Sequence, residues 1–231
     1  MSLKRNPPPG NVRRARSLGG NFRGVTTNKR GHLVQFESEQ ERKLILLLER
    51  DRTVADYRSQ PETLQFTAEG GRPRTYTPDF QVWRTSGMIE LHEVTLAARR
   101  ESRLSLPERE AAAEAICRAR GWRYVLHTDQ TLPAGGEYRN LDFLSAFRGE
   151  THAHPEHAAW WLAQLHGPLP IAPPAVLDHA DPASGTRLNT LYHLLWHGAL
   201  QMDWQQPLLW RGTFHPAARV WLAPQNQAVQ A

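Results

Sequence analysis

The succession of helical and strand periodicities between residues 38 and 127 most constrains the fold of this chain. Leu44, Ile45 and Leu48 follow helical spacing, and Ser38 with Glu41 predicts a capping box that starts the first helix at Ser38. Strands are predicted at 64–67, 75–84, 88–95 and 122–127, and a second helix is predicted from 105 to 121. The order helix, three strands, helix, strand predicts an α/β fold with a mixed central sheet flanked by helices.

A basic arm precedes this core. The chain has a net charge of +5, and its first 30 residues hold eight basic side chains and no acid. Residues 1–31 are therefore predicted to form an extended arm that follows the phosphates of nucleic acid, an ordinary disordered tail being the alternative. The candidate DNA-binding residues are Arg13, Arg14, Arg16, Arg23, Lys29 and Arg30.

The amino-acid composition of the chain changes after the core. Prolines, histidines and tryptophans concentrate beyond residue 131, which predicts a core domain at 32–130 and a separate, small and mainly helical C-terminal region at 131–231. Helices are predicted at 155–166 and 186–200, with an extended segment at 207–215 that suits a winged-helix-like unit. His193 and His197 have a zinc-compatible i, i+4 spacing, but packing histidines are the favoured interpretation because a clear third ligand is missing.

Membrane and secreted classes are disfavoured by the apolar pattern. The longest aliphatic run, Leu44–Leu48, has five residues where a bilayer span needs about 20. The N-terminus lacks the apolar segment of a secretory signal, and Cys117 is the single cysteine. These features predict a cytoplasmic protein without a membrane partner, in which Cys117 is a small core residue.

Three carboxylates occupy positions that a solvated surface does not explain. Glu41 lies on the apolar side of the first helix, Asp79 follows Pro78 at the head of a strand, and Glu93 shares a strand face with Leu91. Structural alternatives are a capping role for Glu41, a turn role for Asp79 and an ion pair of Glu93 with Arg99 or Arg74. Convergence of the three acids predicts a site for Mg²⁺ or Mn²⁺ that serves phosphodiester hydrolysis.

Several segments resemble the N-terminal endonuclease domain of the TnsA family, which belongs to the restriction-endonuclease-like superfamily. The resemblance covers about residues 15–127, and its most specific parts are Tyr76-Thr-Pro-Asp-Phe80 and Glu37-Ser-Glu-Gln-Glu-Arg42, with Gln60-Pro61 and Leu91-His-Glu-Val94 in the same order. It implies a restriction-endonuclease-like sheet in which Glu41, Asp79 and Glu93 are catalytic metal ligands. It also implies double-stranded DNA as substrate, with a DDE-type transposase and an AAA+ ATPase regulator as partners.

One position departs from the family pattern. The resemblance places a lysine two residues after Glu93, where this chain has Thr95, and the last lysine of the sequence is Lys43. Three explanations are open: a cation from elsewhere, with Lys43, Arg99 and Arg100 as candidates; a slower enzyme in which Thr95, bordering the attacking water, and a second metal suffice; or an inactive DNA-binding or assembly subunit that retains the fold.

Overall fold

The computed structural model describes residues 22–68, 70–102, 105–165, 170–178 and 180–223, except for the side chains of residues 105 and 106. Arg13, Arg14 and Arg16, the first half of the predicted DNA-binding set, lie outside these ranges. The chain divides into two compact units, of which the first ends at Leu132 and the second begins at Pro133.

The first unit combines a central sheet with two hairpins and flanking helices. Its strands are β1 (Gly24–Thr27), β2 (Leu33–Phe36), β3 (Val54–Ser59), β4 (Leu64–Thr67), β5 (Pro73–Tyr76), β6 (Phe80–Arg84), β7 (Ile89–Thr95) and β8 (Arg123–Thr128). Its helices are α1 (Glu39–Arg50), α2 (Ala97–Ser102) and α3 (Ser105–Ala119).

The central sheet has four strands in the order β3-β6-β7-β8. The pairs β3–β6 and β6–β7 are antiparallel, whereas β7 and β8 run parallel because α3 makes the crossover between them. The sheet is therefore mixed and flanked by helices, as the periodicities predicted. In the β6–β7 register Phe80 lies opposite His92, which places the residues just beyond, Asp79 and Glu93, at the same end of the sheet.

Helix α1 packs on one face of this sheet. Ser38 is its N-cap, with extended backbone angles and a side-chain oxygen that accepts a hydrogen bond from the Glu41 amide at 3.1 Å. Leu44, Ile45 and Leu48 of α1 are buried against apolar residues of β2, β3 and β6. The capping box and the apolar stripe are both local signals, and the predicted first helix is confirmed within two residues at either end.

The other face is covered by α3 and the β4–β5 hairpin. Ala113 and Cys117 of α3 pack with Leu91 of β7 and with Leu64 and Tyr76 of the hairpin. Cys117 is 1% exposed, which confirms it as a core residue.

Two sequence predictions about strands and the arm were wrong. The segment 75–84 forms two strands, because the chain breaks at residues 77–79: β5 pairs with β4, and β6 enters the central sheet. Residues 24–31, predicted to lie in an extended arm, instead belong to the β1–β2 hairpin. Buried Asn28 fixes that hairpin to the sheet by donating to Asp56 Oδ1 at 2.7 Å and to the Tyr57 carbonyl at 2.8 Å.

A buried charged cluster lies on the α1-facing side of β6, β7 and β8. Glu90, 1% exposed, accepts hydrogen bonds from Arg84 Nε at 2.7 Å and His92 Nε2 at 3.0 Å, and pairs with Arg123 Nη2 at 2.9 Å. The Nδ1 atom of His92 in turn lies 3.0 Å from His127 Nε2. The hydrogen bond from His92, assisted by the Arg84 guanidinium, lowers the pKa of Glu90 to about 2. The acid is therefore ionised and fully partnered at neutral pH.

The second unit is mainly helical. Its elements are α4 (Gly135–Leu144), α5 (Pro155–Gln164), α6 (Ser184–Trp196), β9 (Leu200–Met202), β10 (Leu209–Trp210), β11 (Thr213–Phe214) and β12 (Val220–Leu222). Strand β9 pairs with β12, and β10 pairs with β11 as a hairpin between them. The helices predicted at 155–166 and 186–200 are confirmed, whereas α4 was missed. The winged-helix suggestion stays a prediction.

His193 and His197 are packing residues of this unit. Their ring nitrogens lie 2.9 Å from the carbonyl oxygens of Phe147 and Arg148, respectively. Both imidazoles therefore satisfy backbone acceptors beyond α4, which explains the i, i+4 spacing without a metal. Across the described ranges, none of the helices is both long and apolar enough to cross a bilayer.

Candidate active site

Glu41 lies in the first turn of α1, and its carboxylate is engaged by the backbone just before the helix. Its Oε2 atom accepts a hydrogen bond from the Glu37 amide at 2.8 Å, and its Oε1 atom accepts one from the Ser38 hydroxyl at 3.0 Å. Burial, followed by the negative charge of Asp79, raises the pKa of Glu41 to about 7. Glu41 therefore has the predicted capping role and is also electrostatically coupled to Asp79.

Asp79 connects the β5–β6 bend to the adjacent strand β7. Its Oδ2 atom accepts a hydrogen bond from the Val94 amide at 2.8 Å, and its backbone carbonyl accepts one from the Gln60 amide at 2.7 Å. Its carboxyl group lies next to that of Glu93. Burial and the neighbouring Glu93 charge raise the pKa of Asp79 well above its ordinary value.

Glu93 projects from β7 on the side that α3 covers, and it is 5% exposed. The Tyr76 hydroxyl donates to its Oε2 atom at 2.5 Å, and Arg109 Nη2 lies 2.5 Å from its Oε1 atom. Burial raises the pKa of Glu93, opposed by the positive charge of Arg109. The ion-pair partner is thus Arg109 of α3, and the sequence-based alternatives Arg99 and Arg74 were wrong.

Asp79 and Glu93 form a carboxyl pair. Burial is the largest cause of the raised pKa of both groups, and the charge of Glu93 adds to it at Asp79. Glu41 lies close enough to raise the pKa of Glu93, and its own pKa is raised by Asp79. Among the residues that the structure describes, however, no set of three His, Cys, Asp or Glu side chains is arranged to hold a metal ion.

The chemistry of this donor set matches a hard divalent cation at Asp79 and Glu93. Two buried carboxyl groups with raised pKa values are the kind of pair whose negative charges a divalent cation can compensate. Glu41 stands beside the pair, with its own oxygens directed to the Glu37 amide and the Ser38 hydroxyl.

Residue 95, where the family pattern has a lysine, is an uncharged threonine in this chain. Thr95 is the last residue of β7, is 8% exposed and lies opposite Thr128 of β8 in the parallel register. The positive group in contact with the carboxyl pair is Arg109. The sequence contained a signal for it, because Arg109 precedes the buried residues Ala113 and Cys117 by four and eight positions and so lies on the inner side of α3.

The described members of the predicted DNA-binding set differ in their surroundings. Lys29 donates its Nζ hydrogens to the carbonyl oxygens of Asp51 and Val54, which ties it to the folded unit. Arg30 has a 66% exposed side chain and lies 3.8 Å from Asp56. Arg23 is partly buried, and its Nε has no hydrogen-bond partner among the described residues. A DNA contact by these three residues remains a prediction.

A mixed sheet flanked by helices, with acids at the start of β6 and on β7, defines a restriction-endonuclease-like fold of nuclease type. Residues 51–129 match the family model of the TnsA-like endonuclease N-terminal domain. The match confirms the sequence resemblance over residues 51–129. No curated protein matches the chain. Asp79, Glu93, Thr95 and Arg109 lie inside the matched segment, whereas Glu41 precedes it.

Stability of the metal-free protein is expected to depend on pH through Glu41. Its folded pKa of about 7 exceeds the ordinary value of 4.5, so its stabilising contribution is complete below about pH 4.5 and is lost as the pH rises through 7. Glu41→Gln, which cannot ionise, is expected to gain up to about 3 kcal/mol relative to the parent between pH 5 and pH 8. Urea unfolding in a chelator at both pH values measures this gain.

The matched control for this experiment is Glu39→Gln. Glu39 is a first-turn acid of the same helix with a 49% exposed side chain. Its substitution is expected to give the same stability difference from the parent at both pH values. A parent-to-Glu41→Gln difference that is equal at pH 5 and pH 8 would contradict the raised pKa of Glu41.

Proposed function

We propose that this chain is the metal-dependent DNA endonuclease subunit of a heteromeric transposase and that it hydrolyses phosphodiesters at transposon ends. The observation that carries the proposal is the buried carboxyl pair of Asp79 and Glu93 within a TnsA-like endonuclease domain. Burying two acids against each other is costly for folding alone. A requirement for a concentrated negative charge in the working site explains why that cost is tolerated.

Asp79 and Glu93 would hold a divalent cation, Mg²⁺ or Mn²⁺, with Glu41 as the adjacent third acid. When bound, such an ion supplies positive charge beside the scissile phosphate and lowers the pKa of water. The chain's own contribution is to fix the acids: the Val94 amide orients Asp79, and Tyr76 with Arg109 orients Glu93. Thr95 would border the attacking water.

The substrate in this proposal is double-stranded DNA. The duplex backbone would be engaged by the N-terminal basic residues Arg13, Arg14, Arg16, Arg23, Lys29 and Arg30, of which the last is well exposed. Such contacts neutralise phosphates without reading the sequence. They therefore position the duplex near the acids but do not choose the cleavage site.

The resemblance to the TnsA family supports two protein partners. A DDE-type transposase would cut the opposite strand, and an AAA+ ATPase regulator would dock on the C-terminal region. In this proposal the chain comprises a basic arm at 1–31, a nuclease domain at 32–130 and an assembly region at 131–231. The part of the arm after residue 23 is folded onto the nuclease domain as the β1–β2 hairpin.

A second candidate function is a catalytically inactive DNA-binding or assembly subunit. Two observations favour it: the family lysine is replaced by Thr95, and the described residues hold no three-member metal group. This candidate predicts DNA binding and assembly without hydrolysis. It also predicts no specific binding of divalent ions at Asp79 and Glu93.

Strand nicking by the assembled transposase decides between the two functions. The complex of this chain with its transposase partner is incubated with a plasmid carrying a transposon end, in Mg²⁺, in Mn²⁺ or in a chelator. The endonuclease predicts strand breaks at the end that this chain cuts, dependent on the divalent ion. Calorimetric titration of the chain with Mn²⁺ is the second measurement. Absence of both nicking and Mn²⁺ binding would establish the inactive subunit.

A further inference from the structure

We propose that Arg109 of α3 supplies the positive charge that the family pattern places at residue 95, and that its guanidinium donates a hydrogen bond to the scissile phosphate. The inference rests on the proposed endonuclease function. Arg109 would be a further catalytic residue of that site. Its side chain comes from helix α3, whereas the lysine of the family pattern would come from strand β7.

Two contacts hold Arg109 at the carboxyl pair, and a third joins its two partners. Its Nη2 atom lies 2.5 Å from Glu93 Oε1, and its guanidinium carbon lies 4.6 Å from the centre of the Tyr76 ring, within the range of a cation–π contact. The Tyr76 hydroxyl closes the arrangement by donating to the other oxygen of Glu93 at 2.5 Å. Arg109, Glu93 and Tyr76 thus fix one another in a single geometry.

The guanidinium has donor capacity left for a ligand. The Nε–H of Arg109 is buried and has no hydrogen-bond partner among the described residues, although unsatisfied buried donors are rare in folded proteins. The side chain as a whole is 27% exposed. The planar guanidinium of Arg109 has a free N–H beside two acids. A phosphate oxygen can accept a charge-assisted hydrogen bond from it.

The other cations considered from the sequence are engaged elsewhere or are not in contact with the pair. Lys43 lies 3.9 Å from Glu39 on the same helix, and Arg100 makes a forked ion pair with Glu110 at 2.9–3.1 Å. Arg109 forms an ion pair with Glu93 among the residues that the structure describes. Thr95, at the family position, offers a hydroxyl and no charge.

The position of the Arg109 guanidinium beside Glu93 indicates what its charge would do in the reaction. Phosphodiester hydrolysis accumulates negative charge on the non-bridging phosphate oxygens, and a preorganised donor aimed at them stabilises the transition state more than the ground state. Arginine remains protonated throughout, so Arg109 contributes charge and a hydrogen bond without a proton transfer. A lysine at residue 95, two positions after Glu93 on the same face of β7, would bring the same charge to the site.

Relocating the charge tests this inference. Nicking by the assembled transposase is measured for the parent, Arg109→Gln and the double variant Arg109→Gln with Thr95→Lys. Loss of one such donor is expected to reduce kcat by about 10²-fold. The double variant is expected to recover at least about tenfold of that loss, because it returns a cation to the site at the family position. A purely structural role of Arg109 predicts no recovery.

Arg118→Gln is the matched control. Arg118 is an exposed arginine on the same helix, nine residues further along, and its substitution is expected to leave nicking within about twofold of the parent. The calorimetric affinity for Mn²⁺ alone gives a readout independent of cutting. Arg109→Gln is expected to bind Mn²⁺ more tightly than the parent, because a positive charge next to Glu93 is removed.

The outcomes separate this inference from the proposed function. Nicking by Arg109→Gln at the parent rate, with Asp79→Asn inactive, overturns the role of Arg109 and leaves the endonuclease intact. Equal inactivity of Arg109→Gln and the double variant, with weakened Mn²⁺ binding in both, overturns it in favour of a structural role. Absence of nicking by the parent overturns the endonuclease and this inference with it.

Discussion

The Asp79→Asn variant is expected to nick DNA at least about 10³-fold more slowly than the parent in the assembled transposase. Asparagine retains an oxygen that can accept the Val94 amide hydrogen bond, so the bend between β5 and β6 is preserved. It cannot carry the negative charge that Asp79 would offer to a divalent cation. The rate loss corresponds to about 4 kcal/mol of transition-state stabilisation, which is the scale expected when a metal ligand is removed.

Gel quantification of nicked plasmid over time measures this loss of rate. Two controls test whether the loss is specific to Asp79 and whether the variant is folded. Glu114→Gln removes a carboxylate from an exposed position of α3 and is expected to nick like the parent. Thermal unfolding of Asp79→Asn is expected to match or exceed that of the parent, because the repulsive carboxyl pair is dissolved. Nicking by Asp79→Asn within tenfold of the parent would mean that Asp79 does not participate in hydrolysis.

The parts of the site that could be predicted from the sequence are the local ones. Ser38 and Glu41 lie three residues apart, so the capping box is encoded in a single turn of helix. Asp79 and Glu93 lie at the open end of a hairpin whose tight turn is visible in the sequence, and antiparallel pairing brings them together. Short-range rules therefore suffice for the acids and their neighbourhood.

The parts that could not be predicted depend on tertiary contacts or on irregular strands. Strand β3 was missed because a register shift between Val54 and Asp56 interrupts the two-residue alternation. The split of the segment 75–84 was missed because β5 pairs with β4, outside the central sheet. Arg109 was missed because its role arises only when α3 packs across the sheet and brings residues 93 and 109 together.

The buried Glu90 cluster is expected to stabilise the central sheet, and its removal is the second change with a large expected effect. Glu90→Ala is expected to lower the free energy of unfolding by about 3 kcal/mol, because it leaves the largely buried Arg84 and the buried His92 without their shared anion. The residue lies on β7 three positions before Glu93 but on the opposite face. The variant therefore tests the stability of the central sheet separately from the charge of the site.

Glu62→Ala is the matched comparison for this prediction. Glu62 also forms an ion pair with an arginine, Arg120, at 2.6 Å, but both side chains are more than 30% exposed. A solvated pair contributes at most about 1 kcal/mol, so Glu62→Ala is expected to shift the urea midpoint only slightly. Burial is the physical difference between the two pairs, because Glu90 is 1% exposed and its partner Arg84 21% exposed, whereas Glu62 and Arg120 are both more than 30% exposed. Equal midpoint shifts for the two variants would show that the Glu90 cluster is not needed to hold β6, β7 and β8 together.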